Sequence, residues 1–204
     1  MIFHVAINAV ALRGPRTFDH AVGWIDTSVP ALALFQWLFV YVPLGIHGAL
    51  GLWLVTTHKR LERPYGPALG VAMRVTGVVA LVFVATHVVD LHAGATGPRL
   101  GAGEIATLLD ASMSTVWLGV PWRGLWYLVG SGATVVHFVA GLWAALSAGR
   151  AKESVMLRWV LAGLGFAMWL IVADVVVLRA TGAAVVGDPA SDRALMQPCP
   201  IPSK

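Results

Sequence analysis

Of the chain's 204 residues, 58% are hydrophobic and only 12% charged, and the mean hydropathy is +0.77, whereas a soluble domain carries about a quarter charged residues. The net charge of +4 does not point to nucleic acid, because the Lys and Arg residues gather at the ends of apolar segments and so report membrane topology. The single cysteine, Cys199, excludes an internal disulfide and lacks the neighbours of a Cys-based metal or iron–sulfur site.

Residues 1–12 are apolar, but at about 1.5 Å of rise per residue they reach only about 18 Å, which predicts a shortened first helix. No basic segment precedes them and no small-residue cleavage site follows, so a cleaved leader is not expected. Between Asp26 and Lys59 there is no Asp, Glu, Lys or Arg, and the second helix is predicted over 31–56. A third is predicted over 69–91, with Arg74 in its first turns and Asp90 near its end. The fourth covers 124–148, between Arg123 and Arg150, and the fifth covers 159–178 and carries Asp174. Each of these four meets the roughly 20 residues needed to cross hydrocarbon. The remainder contains Pro189, Pro198, Pro200 and Pro202 without periodicity and is predicted to be irregular. The expected fold is therefore an all-α, polytopic transmembrane helix bundle of four full spans plus a shortened first helix. A membrane domain over 1–180 would be followed by a tail over 181–204.

Charge separates the connections. Lys59, Arg60, Arg63 and Arg74 outweigh Glu62, and Arg150, Lys152 and Arg158 outweigh Glu153, which predicts that these two segments are cytoplasmic. Elsewhere Asp19, Asp26, Asp90, Glu104, Asp110, Asp188 and Asp192 offset the basic residues, and those segments are expected outside.

Four of the seven histidines, His4, His47, His87 and His137, fall one in each of the first four apolar segments. A single intramembrane histidine often only bonds a neighbouring helix's backbone. Four of them, each costly in hydrocarbon unless paired, point to a functional site. Depth sorts them: His4 and His87 lie toward the outer ends of their segments, while His47 and His137 lie near the middle or toward the inner half. The second pair also shares local sequence, HGALGLW from His47 and HFVAGLW from His137. In both, a glycine follows at i+4, Gly51 or Gly141, on the histidine's own face. Lacking a Cβ, it would let a flat macrocycle lie close; either glycine alone could equally serve a small-residue helix contact, and the shared spacing after a histidine favours the macrocycle. Two bis-histidine b-type haems are the expected ligands, and two imidazoles per iron leave no open coordination position, which suits electron transfer. No His-x₃-His pair or Cys cluster favours zinc or copper. His58 lies in a basic HKR sequence and is expected to be interfacial. His92 points away from His87's face, and His20 falls in the outer connection between the first two segments.

These residues resemble a known family, the single-chain, five-helix diheme cytochrome b membrane anchors of succinate dehydrogenase and fumarate reductase. The resemblance rests on HVAINAVALRG from His4, VPLGIHGALGLW from Val42, RVTGVVALVFVATHVVD from Arg74 and YLVGSGATVVHFVAGLW from Tyr127, in the same order along the chain. It implies haem iron held by His4 with His87 and by His47 with His137. It also implies a flavoprotein and an iron–sulfur subunit on the cytoplasmic side, and residence in the bacterial cytoplasmic membrane. Electrons would pass to or from a quinone, menaquinone being the expected type, and no dicarboxylate chemistry would occur in this chain. Asp26 stands where the family has an acidic residue near the outer haem, a candidate for proton exchange with quinone, although DTSVP also reads as a cap for the second helix. Arg74 is a candidate partner for an inner-haem propionate, and its alternative role is a positive-inside anchor.

Three other functions compete. A haem-free anchor would use the histidines only to join helices, a proton-coupled transporter would use them with Asp174 as a relay, and another respiratory complex could own a similar cytochrome b. No inverted repeat with broken helices supports the transporter, and the ordered motifs disfavour the third.

Overall fold

The computed structural model describes residues 1–29, 31–57, 66–95, 104–147 and 154–182, and all elements below lie within them. The first apolar segment forms α1 (Ile2–Ala9), continued by a 3-10 turn over Val10–Arg13. After Gly14, whose φ of 112° suits a residue without a side chain, α2 (Pro15–Ser28) starts with proline at its first position. The second segment is α3 (Leu32–Gln36), a π-helical turn over Trp37–Tyr41, and α4 (Val42–Thr57). Then follow α5 (Gly66–Ala95), α6 (Glu104–Ser114), α7 (Trp122–Ser147) and α8 (Val155–Thr181).

Four stretches are long and apolar enough to cross a membrane: Leu34–Thr57, Ala68–Asp90, Trp122–Ser147 and Val155–Thr181. With the shorter apolar helix at Ile2–Arg13, the chain is a multi-pass helical membrane protein. The ends of α8 show why its boundaries fall where they do. The Ser154 side chain accepts from Leu157 N–H at 3.2 Å, and Gly182, at φ 72°, returns its N–H to Leu178.

α7 is the centre of the bundle, packed between α5 and α8. Small residues permit this closeness: a Cβ at Gly132 would stand 2.9 Å from Trp169 Nε1, and one at Gly165 would stand 2.8 Å from Val139. α1 docks through buried Val5 against Val135 and Met168. The second segment makes less contact; no residue of α4 is buried, and it meets α5 where Gly48 lies under Leu81.

The connection between the first apolar helix and the Leu34–Thr57 span, and the one between the Ala68–Asp90 and Trp122–Ser147 spans, each contain a helix, a feature the charge reading did not anticipate. α2 and α6 pack on one another and on α8, closing one end of the bundle, called the capped end below. Phe18 of α2 is buried with Ala11 and Val175, and Met113 of α6 with Phe83, Tyr127 and Val176. Arg179 of α8 joins all three helices: its side chain, 5% exposed, reaches Asp110 of α6 at 2.6 Å and lies 4.8 Å from the centre of the Phe18 ring of α2. Residues 183–204, which hold nearly all of the expected tail and Cys199, lie outside the described residues, as does His58.

Candidate functional site

The helices bring the four intramembrane histidines together as two pairs. His4, in the first turn of α1, faces His87 of α5 with ring centres 5.9 Å apart and planes at 84°. His47 of α4 faces His137 of α7 at 6.1 Å and 64°. Two metal–imidazole bonds of about 2.0–2.1 Å, with about 1 Å from nitrogen to ring centre on either side, would place the centres about 6 Å apart. Both pairs therefore have the separation at which one metal ion can join two imidazoles.

The His47–His137 pair is built on bare backbone. The ring of His137 lies against Gly77 of α5, where a Cβ would come within 2.9 Å of Cε1. His137 Nδ1 is 3.2 Å from the carbonyl oxygen of Met73. A carbonyl only accepts, so this bond puts the proton on Nδ1 and leaves the Nε2 lone pair for a ligand. A Cβ at Gly51 or at Gly141 would meet nothing within 4 Å, so both glycines border open space, and a flat group could lie there. Arg74, half-buried on α5, directly follows Met73 and so lies at the depth of this pair.

At the capped end a different set of contacts surrounds His87. Phe83, one turn earlier on α5, stacks on its ring at 5.7 Å and 23°. Tyr127 of α7 places its hydroxyl 3.3 Å from His87 Nδ1 and 3.3 Å from Asp90 Oδ2. Asp90 is in turn ion-paired with Arg123. Trp126 Nε1 donates to Thr86 Oγ1 at 3.1 Å. The backbone carbonyl of His4 accepts from Asn8 Nδ2 at 2.8 Å.

The backbone of Asp26 lies in the last turn of α2, not at the start of the second span, so a cap on that span is not its place; its side chain lies outside the described residues, as does that of His92. His20 is exposed on α2, and Asp174 is buried in α8. Sequence reasoning did not single out Phe83, Tyr127 or Arg123, and it used Asp90 only for topology. The signal was present as spacing: residues 83, 87 and 90 share one helix face, as do 123, 127 and 130.

Among the described residues, no group of three or more His, Cys, Asp or Glu side chains could hold a metal ion unaided. An apolar groove of about 740 Å³ runs along α7 and α8, with Arg158 and Trp143 among its lining residues and no histidine among them. The Arg158 guanidinium lies 5.3 Å from the centre of the Trp143 ring. This groove is separate from both histidine pairs.

Fold and site together define a multi-pass helical membrane protein with two intramembrane imidazole pairs. Over 147 residues the chain is 31% identical to the succinate dehydrogenase cytochrome b558 subunit of Bacillus subtilis (strain 168), an alignment spanning 70% of this chain and 68% of that protein. The chain belongs to this family of succinate dehydrogenase cytochrome b membrane-anchor subunits. No protein-family model matches it, and no solved structure does.

Proposed function

We propose that this protein is the membrane-anchor cytochrome b subunit of a succinate:quinone oxidoreductase and that it holds two b-type haems, each between two histidines. The observation that carries the proposal is the pairing of four histidines from four helices at 5.9 and 6.1 Å. Each pair matches the spacing of two imidazoles on one metal. The open space beside Gly51 and Gly141 fits a flat macrocycle at the inner pair.

His47 and His137 would hold one haem, with Arg74 available to a propionate, and His4 and His87 the other. Bound there, the haems supply one-electron relay across the membrane domain, between the iron–sulfur subunit and quinone. The chain's own residues bring the imidazoles together in pairs, and Tyr127 and the Met73 carbonyl set the tautomers of His87 and His137. Basic residues predict that the capped end faces outward, which places the His4–His87 pair near the outer surface and α2, with Asp26, beside it. Asp26 is the candidate for exchanging protons with a quinone, menaquinone being the expected type. The flavoprotein and iron–sulfur partners would dock at the opposite, cytoplasmic end of the bundle in a bacterial cytoplasmic membrane. Residues 1–180 would form the membrane domain and 181–204 an irregular extension.

A reduced-minus-oxidised visible spectrum of the purified protein, combined with a haem-to-protein ratio, tests the reading directly. Two b-type haems per chain are expected. A ratio of zero would identify a haem-free anchor in which the histidines only join helices.

A further inference from the structure

α5 and α7 meet in an antiparallel seam whose layers keep register. From the capped end inward, Asp90 pairs with Arg123 and His87 faces Tyr127. Next, Phe83 fills a notch at Gly130, where a Cβ would overlap its ring, and Gly77 faces His137. The first three layers touch one another. Phe83 packs edge-on against Tyr127 with centres 5.3 Å apart, and both rings contact His87.

The hydrogen-bond chemistry of this seam has one consistent solution. Asp90, ion-paired with Arg123, is a carboxylate that only accepts, so the Tyr127 hydroxyl gives its one proton to Asp90 Oδ2. The phenolic oxygen keeps a lone pair, and the group facing it is His87 Nδ1. That nitrogen must then carry the imidazole proton, which leaves Nε2 as the free lone pair. Phe83, stacked on the ring and locked in the Gly130 notch, restricts its rotation.

We infer that Tyr127, oriented by the Asp90–Arg123 pair, is the positioning residue for His87, holding the imidazole in the tautomer and orientation that offer Nε2 to an iron shared with His4, and setting that ligand's donor strength. The inference rests on the haem-ligation reading above. An acceptor on the far nitrogen raises the basicity of a metal-bound imidazole. The acceptor here is itself polarised by a carboxylate, which strengthens the bond further. A more basic ligand favours ferric over ferrous iron. His137 lacks this arrangement, because its Nδ1 partner is a neutral backbone carbonyl.

The test is a redox titration of both haems in the complete complex carrying Tyr127→Phe, which keeps the ring and its packing on Phe83 and removes only the hydroxyl. Both haems should remain bound, the outer midpoint potential should move to a more positive value, and the inner one should stay in place. Asp90→Asn should move the outer midpoint in the same direction by less, and its effect should shrink in the Tyr127→Phe background, because the two residues act through one bond. An unchanged outer midpoint in Tyr127→Phe with both haems retained would overturn the inference. If Tyr127→Phe lowers haem occupancy, the decision passes to Asp90→Asn, where an unchanged outer midpoint is the overturning result. The ligation reading fails separately, by absence of the outer haem from the unsubstituted complex.

Discussion

His137 rests its imidazole on Gly77, so closely that a methyl group on residue 77 would lie 2.9 Å from Cε1. Gly77→Ala would therefore push the ring away from its Met73 hydrogen bond by a few tenths of an ångström or more. Overpacking of this kind costs about 1–3 kcal/mol. The expected result is weakened or lost inner haem with the outer haem retained, read as a halved haem-to-protein ratio. Two haems per chain in the variant would show that the ring has room to retreat.

If each iron is held by both imidazoles of its pair, as proposed, His47→Ala and His137→Ala should each remove one haem, and the same one. The remaining haem should have identical spectra in the two variants. Retention of two haems in either, or loss of different haems, would disprove the pairing.

Arg74 lies at the depth of the inner pair, so its charge can favour reduction of a nearby iron. Arg74→Gln should shift the inner haem to a more negative midpoint without changing the outer one. An unmoved inner midpoint would assign Arg74 to anchoring the cytoplasmic end.

Asp26→Asn preserves size and removes the titrating group. Succinate-dependent reduction of quinone should fall while succinate-dependent reduction of a soluble dye is unaffected. Rates unchanged from the unsubstituted protein in both assays would remove Asp26 from the quinone chemistry.

The Arg179–Asp110 pair is unequal in burial, with side chains 5% and 43% exposed. Asp110→Asn removes one charge-assisted hydrogen bond from a buried guanidinium and should cost about 1.5–3 kcal/mol. Glu at 110 should recover much of this, because it restores the charge. Thermal unfolding in one detergent, compared among the three proteins, decides it.

Much of the bundle is readable in the residues because the hydrocarbon requirement is blunt. The span expected over 124–148 is α7 (Trp122–Ser147), and the one expected over 69–91 lies inside α5 (Gly66–Ala95). Depth alone placed His4 beside His87 and His47 beside His137, as the rings lie in the structure. What escaped reading lies where the bilayer gives no guidance. α2 and α6 sit in the connections, where charge balance reports topology and says nothing of helicity; the Gly14–Pro15 start and the spacing of Phe18, Val22 and Ile25 held the signal. The π-helical turn over Trp37–Tyr41 leaves no mark in an unbroken apolar run. Tyr127 matters through its partner on another helix, and a register between helices 40 residues apart in sequence cannot be read from either one alone.

The α5–α7 seam also works as a ruler. Gly77, level with His137, and His87 are ten residues apart on one continuous helix, a step of about 15 Å along its axis. With iron ligated as proposed, the hop between the two haems is set by that single helix and by the notch that keeps α7 from sliding along it. Insertions in the connecting loops would leave the hop unchanged. One residue inserted between Gly77 and His87 would lengthen it and also rotate His87 by about 100°, away from His4, so electron transfer should fail abruptly rather than slow by degrees.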